Sequence, residues 1–323
     1  MDQIDGYIFV NYNYDGIDMY NTNGLIGDGY YCLTLHGRIY KKISHHIFND
    51  HQLTTDFTNN NFDYFNTFGE ECVKFGYITI NNINYDINTD KFGHFRICVN
   101  VSVVRSTNNQ RKFTFFDQKK NTLLNFNLNV LNNISITPNI NNTGNTYSII
   151  SDIDDTIKYT NVQNIADMIA NTFYKEFIPI DETVKTFNKL ESKYNITNYH
   201  YVSSSPWQLY QLLHEFIIRY YKNGTIYLKS MDIDNLLTIV KFIKSGNIEY
   251  KTPIIDQIIN SNKKQKYILI GDSGEHDPEI YNHIYKKYTD LIESVIIRDV
   301  FKKNDQLRKR LPDVPLNKIS VLN

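Results

Sequence analysis

Cysteine is scarce in this sequence: there are three among 323 residues, Cys32, Cys72 and Cys98. The number is odd, and no CxxC or Cys/His spacing accompanies them. This argues against a disulfide framework and a zinc site, and for a reducing compartment. An excess of one charge is also lacking. Lys and Arg number 34 against 35 Asp and Glu, a net charge of -1. No global basic field invites nucleic acid, and no acidic field repels an anionic substrate. No apolar run approaches the ~20 residues of a spanning helix. Met1-Asp-Gln-Ile-Asp5 has no basic region leading into an apolar one, so no signal peptide is expected. The expectation is a cytoplasmic protein, at most peripheral to membranes. Tryptophan occurs once, at Trp207.

What is present is ordinary for a folded chain: 41% hydrophobic and 21% charged residues. The length exceeds that of one hydrophobic core, so two domains are expected. Asparagine is abundant, often in pairs or runs such as Asn59-Asn-Asn61, Asn132-Asn133 and Asn141-Asn142, between periodic segments.

The texture changes partway along. The first part reads as strands. Tyr31-Cys-Leu-Thr-Leu35, Val73 to Ile80 and Phe95 to Val103 are alternating or β-branched and aromatic, separated by Gly and Asn clusters. A β-sandwich is the simplest fold for such a half. From Tyr147 onward, short apolar strands alternate with amphipathic helices. Strands are expected at Tyr147–Ile150, Tyr199–Ser203, Gly224–Leu228, Lys266–Ile270 and Val295–Ile297. Helices are expected at Thr183–Tyr194, Pro206–Tyr220, Pro253–Asn260 and Pro278–Tyr288, with Pro206 in a first turn, where its missing N–H costs nothing. Such alternation means an α/β Rossmann-like domain with a mostly parallel sheet, whose ligands bind at the carboxyl ends of the strands. The boundary falls in Asn141-Asn-Thr-Gly-Asn145, giving a β-rich domain over 1–145 and an α/β domain over 146–323.

Four clusters lie at the carboxyl ends of expected strands. Asp152-Ile-Asp-Asp-Thr156 packs three carboxylates that repel one another unless a cation compensates. Mg²⁺ takes oxygen ligands, and an Asp beside it can attack phosphorus. The alternative is a solvated acidic loop. Ser203-Ser-Ser-Pro-Trp207 offers hydroxyls, and helix amides, to a phosphate, or else caps a helix. Gly271-Asp-Ser-Gly-Glu-His-Asp277 brings Asp272 and Asp277 on a glycine-containing turn, a second arm for a metal; the glycines let the backbone approach closely. The serine-hydrolase elbow GxSxG is not met. A lysine to offset phosphate charge is either Lys229 or Lys251.

Together these residues resemble the haloacid dehalogenase superfamily, whose pattern is DxDx(T/V), then Ser or Thr, then Lys, then an acidic pair. The strings SDIDDTIK, YVSSSPWQLY and LIGDSGEHDPEIY resemble the actin-patch phosphatidate phosphatase family, and DIDDT is similar to the DIDGT of lipin-type enzymes. His36-Gly-Arg38 resembles a string in that family's β-rich N-terminal segment. The resemblance implies Asp152 as nucleophile and Mg²⁺ ligand. It implies Asp154 as proton donor and acceptor, its carbonyl facing the metal. Thr156, Ser203 and Ser204 would bind the phosphoryl group, Asp272 would complete the metal site, and Asp277 and Glu275 would support it from behind. Lys251 stands at a family-like distance before GDSG and is preferred to Lys229. The implied activity is Mg²⁺-dependent hydrolysis of phosphatidate to diacylglycerol and phosphate through an aspartyl-phosphate. The implied partners are phospholipid at a membrane surface and cytoskeletal or endocytic proteins, with no covalent cofactor.

The stretch between Thr156 and Thr183 is short for a lid, and Asn164 to Phe173 reads as one helix. An open site suits a substrate presented on a surface. Ile165, Met168, Ile169, Phe173, Tyr174 and Phe177 either touch a bilayer or pack on the domain. Lys302-Lys303 and Arg308-Lys-Arg310 are either membrane-attracted, at ~1 kcal/mol each, or an ordinary solvated tail. Two readings compete with the lipid phosphatase: the same chemistry on phosphoproteins or soluble phosphate esters, and a non-catalytic membrane-binding scaffold.

Overall fold

A computed structural model describes residues 3–11, 32–42, 70–72, 76–80, 83–88, 94–100, 111–117, 122–128, 146–230 and 247–322. These residues fall into two compact units, one with the strands up to Leu128 and one with residues from 146 onward. The expected boundary at Asn141–Asn145 and the asparagine runs lie outside the described residues.

The first unit is antiparallel. β1 (Gln3–Asn11), β2 (Cys32–Lys42), β3 (Glu70–Cys72) and β6 (His94–Asn100) form one sheet centred on β2. A second sheet has the order β5-β4-β7-β8, from β4 (Gly76–Ile80), β5 (Ile83–Ile87), β7 (Arg111–Asp117) and β8 (Thr122–Leu128).

The second unit holds a six-stranded sheet: β9 (Tyr147–Ser151), β10 (Ile196–Pro206), β11 (Thr225–Lys229), β12 (Lys266–Asp272), β13 (Ile292–Arg298) and β14 (Ile319–Leu322). Every pairing is parallel, and the order is β11-β10-β9-β12-β13-β14. The inner strands are near-continuous apolar runs because helices cover both faces. α1 (Ile165–Ile169) runs into a π-helical turn at Ala170–Tyr174; α2 (Asp181–Lys193), α3 (Tyr210–Tyr220), α4 (Asn247–Ser261), α5 (Asp277–Lys287) and α6 (Asn304–Lys309) follow. Neighbouring residues of β10 show the two layers. Tyr201 stacks on Phe187 of α2, while Val202 joins Ile255 of α4 and Ile280 of α5 in one apolar cluster. Successive strand side chains point to opposite faces, so α2 and the α4–α5 pair cover opposite sides. This is an α/β Rossmann-like domain.

The order places β9 at the centre, with the chain winding outward first to β10 and β11, then returning to β12. The reversal between β9 and β12 is the switch point where open α/β sheets bind ligands, at the strand carboxyl ends. Asp152 follows β9 and Asp272 ends β12, so topology alone brings these carboxylates together.

Three sequence expectations change. Pro206 does not start a helix: it ends β10, pairs with Lys229 after a register shift, and precedes a 3₁₀ turn, Trp207–Leu209, with α3 beginning at Tyr210. Ser203 to Ser205 are thus extended, and no α-helix N-terminus stands directly behind them. α4 starts at Asn247 rather than Pro253, since proline is accommodated inside it. β14 was not anticipated. Among the described residues no helix is long and apolar enough to cross a membrane.

Candidate active site

The acidic loop after β9 is held by its own residues. Asp155 adopts a left-handed backbone (φ 55°), a conformation Asp tolerates better than most residues. Its carboxylate accepts the backbone N–H groups of Thr160, Asn161 and Val162 at 3.0, 2.7 and 2.7 Å. Its carbonyl accepts Arg298 Nη1 at 2.8 Å. Asp155 is therefore a loop staple. This fold of the loop leaves Asp152 and Asp154 buried and facing different partners.

Asp152 meets a cation. Lys251 Nζ, buried on α4, donates to Asp152 Oδ1 at 2.6 Å and to Asp277 Oδ1 at 2.8 Å, with Glu275 Oε2 at 3.5 Å. Thr156 Oγ1 donates to Asp152 Oδ2 at 3.0 Å. Lys229, at the end of β11, is half-buried, and none of these contacts is its own. Of the two candidate lysines, Lys251 is the one in contact with Asp152.

The second arm is built on close approach. A Cβ on Gly271 would stand 2.5 Å from Asp277 Oδ2 and 2.7 Å from the Asp277 Cβ, so only glycine fits. Asp277 Oδ2 accepts the Asp272 N–H at 3.2 Å, and Asp272 Oδ1 accepts the Gly274 N–H at 2.5 Å. Asp152, Asp272 and Asp277 each offer an oxygen within 4.8 Å of the others. Asp272 Oδ2 is buried with no hydrogen-bond partner.

Burial raises the Asp152 carboxyl well above the usual range, Lys251 opposing it while Asp277, Glu275 and Asp154 add to it. Burial, then Asp277 and Asp152, raise Asp272 likewise. Burial would depress Lys251, but Asp152 and Asp277 outweigh it and raise its value. One buried ammonium is thus set against several buried carboxylates. The orphaned Asp272 oxygen and this residual charge fit a divalent cation bound through oxygen donors.

Asp154 lies in a separate cradle. Lys158 Nζ stands 2.9 Å from Oδ1, Thr160 Oγ1 donates to Oδ1 at 2.8 Å, and Ser203 and Ser205 Oγ each donate to Oδ2 at 2.9 Å. Lys158 also donates to Thr160 Oγ1 at 2.5 Å and lies 4.8 Å above the Phe177 ring. Burial would raise Asp154, but Lys158 and the hydroxyls overcome it and bring it down to about 2. Its side chain is not among the three clustered metal-type donors.

The expected phosphate binders are placed unevenly. Ser203 is spent on Asp154 and on the Ser205 N–H at 2.9 Å, whereas Ser204 Oγ is buried without a partner. Lys158, Thr160 and Ser205 were missed as site residues. Lys158 stands four residues after Asp154, but across a turn and not along a helix, so the spacing carried no signal for the pair. Of the apolar residues after the loop, Met168 and Phe173 are buried and Ile165 is exposed. Trp207 packs at 5.7 Å on Tyr210. Arg308, Lys302 and Lys303 are exposed, but Arg310 is engaged by the fold.

Residues 147–299 match the family described as "Phosphatidate phosphatase APP1, catalytic domain". A Saccharomyces cerevisiae protein named phosphatidate phosphatase APP1 is 33% identical over 153 residues, covering 46% of this chain and 25% of its own length. An uncharacterised Schizosaccharomyces pombe protein is 30% identical over 181 residues, 53% of this chain and 29% of its own. The chain thus spans little more than a quarter of the length of these relatives.

Proposed function

We propose that this chain, whose residues 147–299 match the APP1 phosphatidate phosphatase catalytic-domain family, is a Mg²⁺-dependent enzyme of haloacid dehalogenase type. It hydrolyses phosphatidate to diacylglycerol and phosphate. The observation that carries the reading is the convergence at the β9–β12 switch point: Asp152, Asp272 and Asp277 within 4.8 Å, with Lys251 2.6 Å from Asp152.

Asp152 and Asp272 would hold the cation, with the Asp154 main-chain carbonyl beside them. Asp277 already spends both oxygens, on Lys251 and on the Asp272 N–H, and acts as their support. A bound divalent cation would offset charge on the phosphoryl oxygens and on Asp152. An Asp152 oxygen attacks phosphorus, the bond from phosphorus to the glyceryl oxygen breaks, and that oxygen takes a proton from Asp154. Water, giving a proton back to Asp154, then attacks the aspartyl-phosphate and releases phosphate. Lys251 and the free Ser204 hydroxyl face the phosphoryl oxygens, and Thr156 orients Asp152. The four donors around Asp154 keep it a carboxylate, the form that activates water. Its protonated form requires that Lys158 and Thr160 loosen.

The division into domains 1–145 and 146–323, and a sandwich-like packing of the N-terminal strands, belong to the same proposal. So does action at a membrane surface, supported by exposed Tyr159, Ile165 and Ile178 on the segment leaving the site. The test is phosphate release from phosphatidate in mixed micelles, with Mg²⁺ and with EDTA, for wild type and Asp152→Asn. Release that needs metal and Asp152, and exceeds that from phosphopeptides and soluble esters, supports the reading. Release only from other esters rejects the substrate, and release from none rejects the enzyme.

A further inference from the structure

Arg310 lies outside the family-matched segment, in a stretch that read as a basic tail, yet all three of its guanidinium nitrogens donate hydrogen bonds. Nε donates to Glu279 Oε1 at 2.6 Å and Nη2 to Glu279 Oε2 at 2.7 Å, a two-point grip on α5. Nη1 donates to the Ser273 carbonyl at 2.6 Å, and Nη2 also reaches the Glu275 carbonyl. Those carbonyls flank Gly274, whose N–H holds Asp272 Oδ1 at 2.5 Å. α5 in turn starts at Asp277. One side chain therefore spans the whole turn between the two acids of the second arm.

We propose that Arg310 is a positioning residue that locks the turn 273–275 so that Asp272, with Asp277 supporting it, is presented to a cation. The metal part of this rests on the proposed function; the lock on the turn does not. A lysine carries the charge but not the planar fork, so it cannot hold Glu279 and two carbonyls at once. Supports of this kind, behind metal ligands, typically change affinity about 10- to 100-fold.

The experiment uses the full chain as wild type, Arg310→Ala, Arg310→Lys and Arg308→Ala, the last exposed on α6, the helix that Arg310 caps. Amide hydrogen exchange is read at residues 273–277 and across β9 and β12, and Mn²⁺ binding is measured by electron paramagnetic resonance. The expected result for Arg310→Ala is exchange about tenfold faster at 273–277, unchanged protection of β9 and β12, and Mn²⁺ bound about tenfold more weakly. Arg310→Lys should fall between, and Arg308→Ala should match wild type. Unchanged exchange in the turn overturns the proposal, as does an equal loss of protection throughout the sheet, which marks a residue of general stability. If the wild type takes up no Mn²⁺, the metal reading of the site fails. The exchange at 273–277 then decides on the lock by itself, in either direction.

Discussion

Asp152→Asn and Asp154→Asn should move stability in opposite directions, although the two positions are two residues apart and both are buried. Asp154 is held ionised: burial opposes this, but Lys158 and the hydroxyls win, taking it from 3.8 to about 2. At about 1.4 kcal/mol per tenfold change in proton affinity, that fall is worth on the order of 2 kcal/mol of folding free energy. A folded value below the unfolded one gives stability that is present above about pH 4 and lost as pH drops through about 2. Asparagine removes this and leaves the Lys158 ammonium buried without its anion, a situation that costs about 3–5 kcal/mol when a buried pair is broken. A loss of roughly 2–5 kcal/mol lowers Tm by something like 5–15 °C in a domain of this size. Asp152 is the reverse case. Burial raises it, so its charged form is a cost at neutral pH, and Lys251 keeps Asp277 at 2.8 Å when Asp152 becomes neutral. Asp152→Asn should be as stable as wild type or more so. The assay is thermal unfolding in EDTA at neutral pH, followed by tryptophan fluorescence. Trp207 is the only tryptophan and is buried in the second unit, so it reports on that unit. An Asp154→Asn protein as stable as wild type, or equal losses in both variants, would refute the electrostatic account.

Further consequences can be checked alongside. Lys251→Met leaves Asp152 and Asp277 without their shared ammonium; metal-free stability should fall by about 3–5 kcal/mol, and phosphate release from phosphatidate at least about 100-fold. Mg²⁺ at 100 times its Kd should stabilise the wild type by about 2.7 kcal/mol, and Asp272→Asn should abolish most of that gain in the same fluorescence melt. Ser204→Ala removes a buried hydroxyl with no partner, so stability should hold within about 0.5 kcal/mol while KM for phosphatidate rises. Acid unfolding between about pH 4 and 2 should be visibly shallower in Asp154→Asn than in wild type, measured as ΔG against pH.

Much of the second unit was legible because parallel strands write themselves as apolar runs: Tyr147–Ser151 and Lys266–Asp272 are unmistakable. What failed did so for local reasons. Proline is a good helix-start signal, but Pro206 serves equally at the end of β10, and Pro253 sits within α4 because tertiary packing overrides the local penalty. The short edge strand β14 has too few residues to show a pattern. Within the site, the acids that follow strand ends could be read, since strand ends are where such sheets bind. The partners were legible only through the family resemblance, which favoured Lys251, or not at all, as with Lys158. Lys251 and Asp152 are far apart in sequence, and nothing local distinguishes Lys251 from Lys229. Arg310 read as a surface residue because two of its acceptors are backbone carbonyls, which carry no sequence signal, and the third, Glu279, is far from it in sequence.

The charge pattern bears on why a cation would be required and not merely helpful. In the proposed mechanism, attack needs Asp152 ionised, and leaving-group protonation needs Asp154 neutral. The arrangement without metal favours the opposite at each: Asp152 is pushed up by burial and by three neighbouring acids, and Asp154 is held down by Lys158 and three hydroxyls. Lys251 cannot correct the first alone, because it is shared between Asp152 and Asp277. A divalent charge beside the orphaned Asp272 oxygen would favour the anion of Asp152, and the same field would not reach into the cradle of Asp154 as strongly. Release of Asp154 must then come from the side of Lys158 and Thr160, on the segment that carries exposed Tyr159 and leads to Phe177. Two separate controls on two neighbouring aspartates mean that metal alone should restore the nucleophile without restoring the proton donor. Leaving-group acidity should therefore matter: an aryl phosphate, which needs little protonation, should lose much less rate in Asp154→Asn than phosphatidate does. Equal losses on both substrates would remove Asp154 from the proton-transfer role.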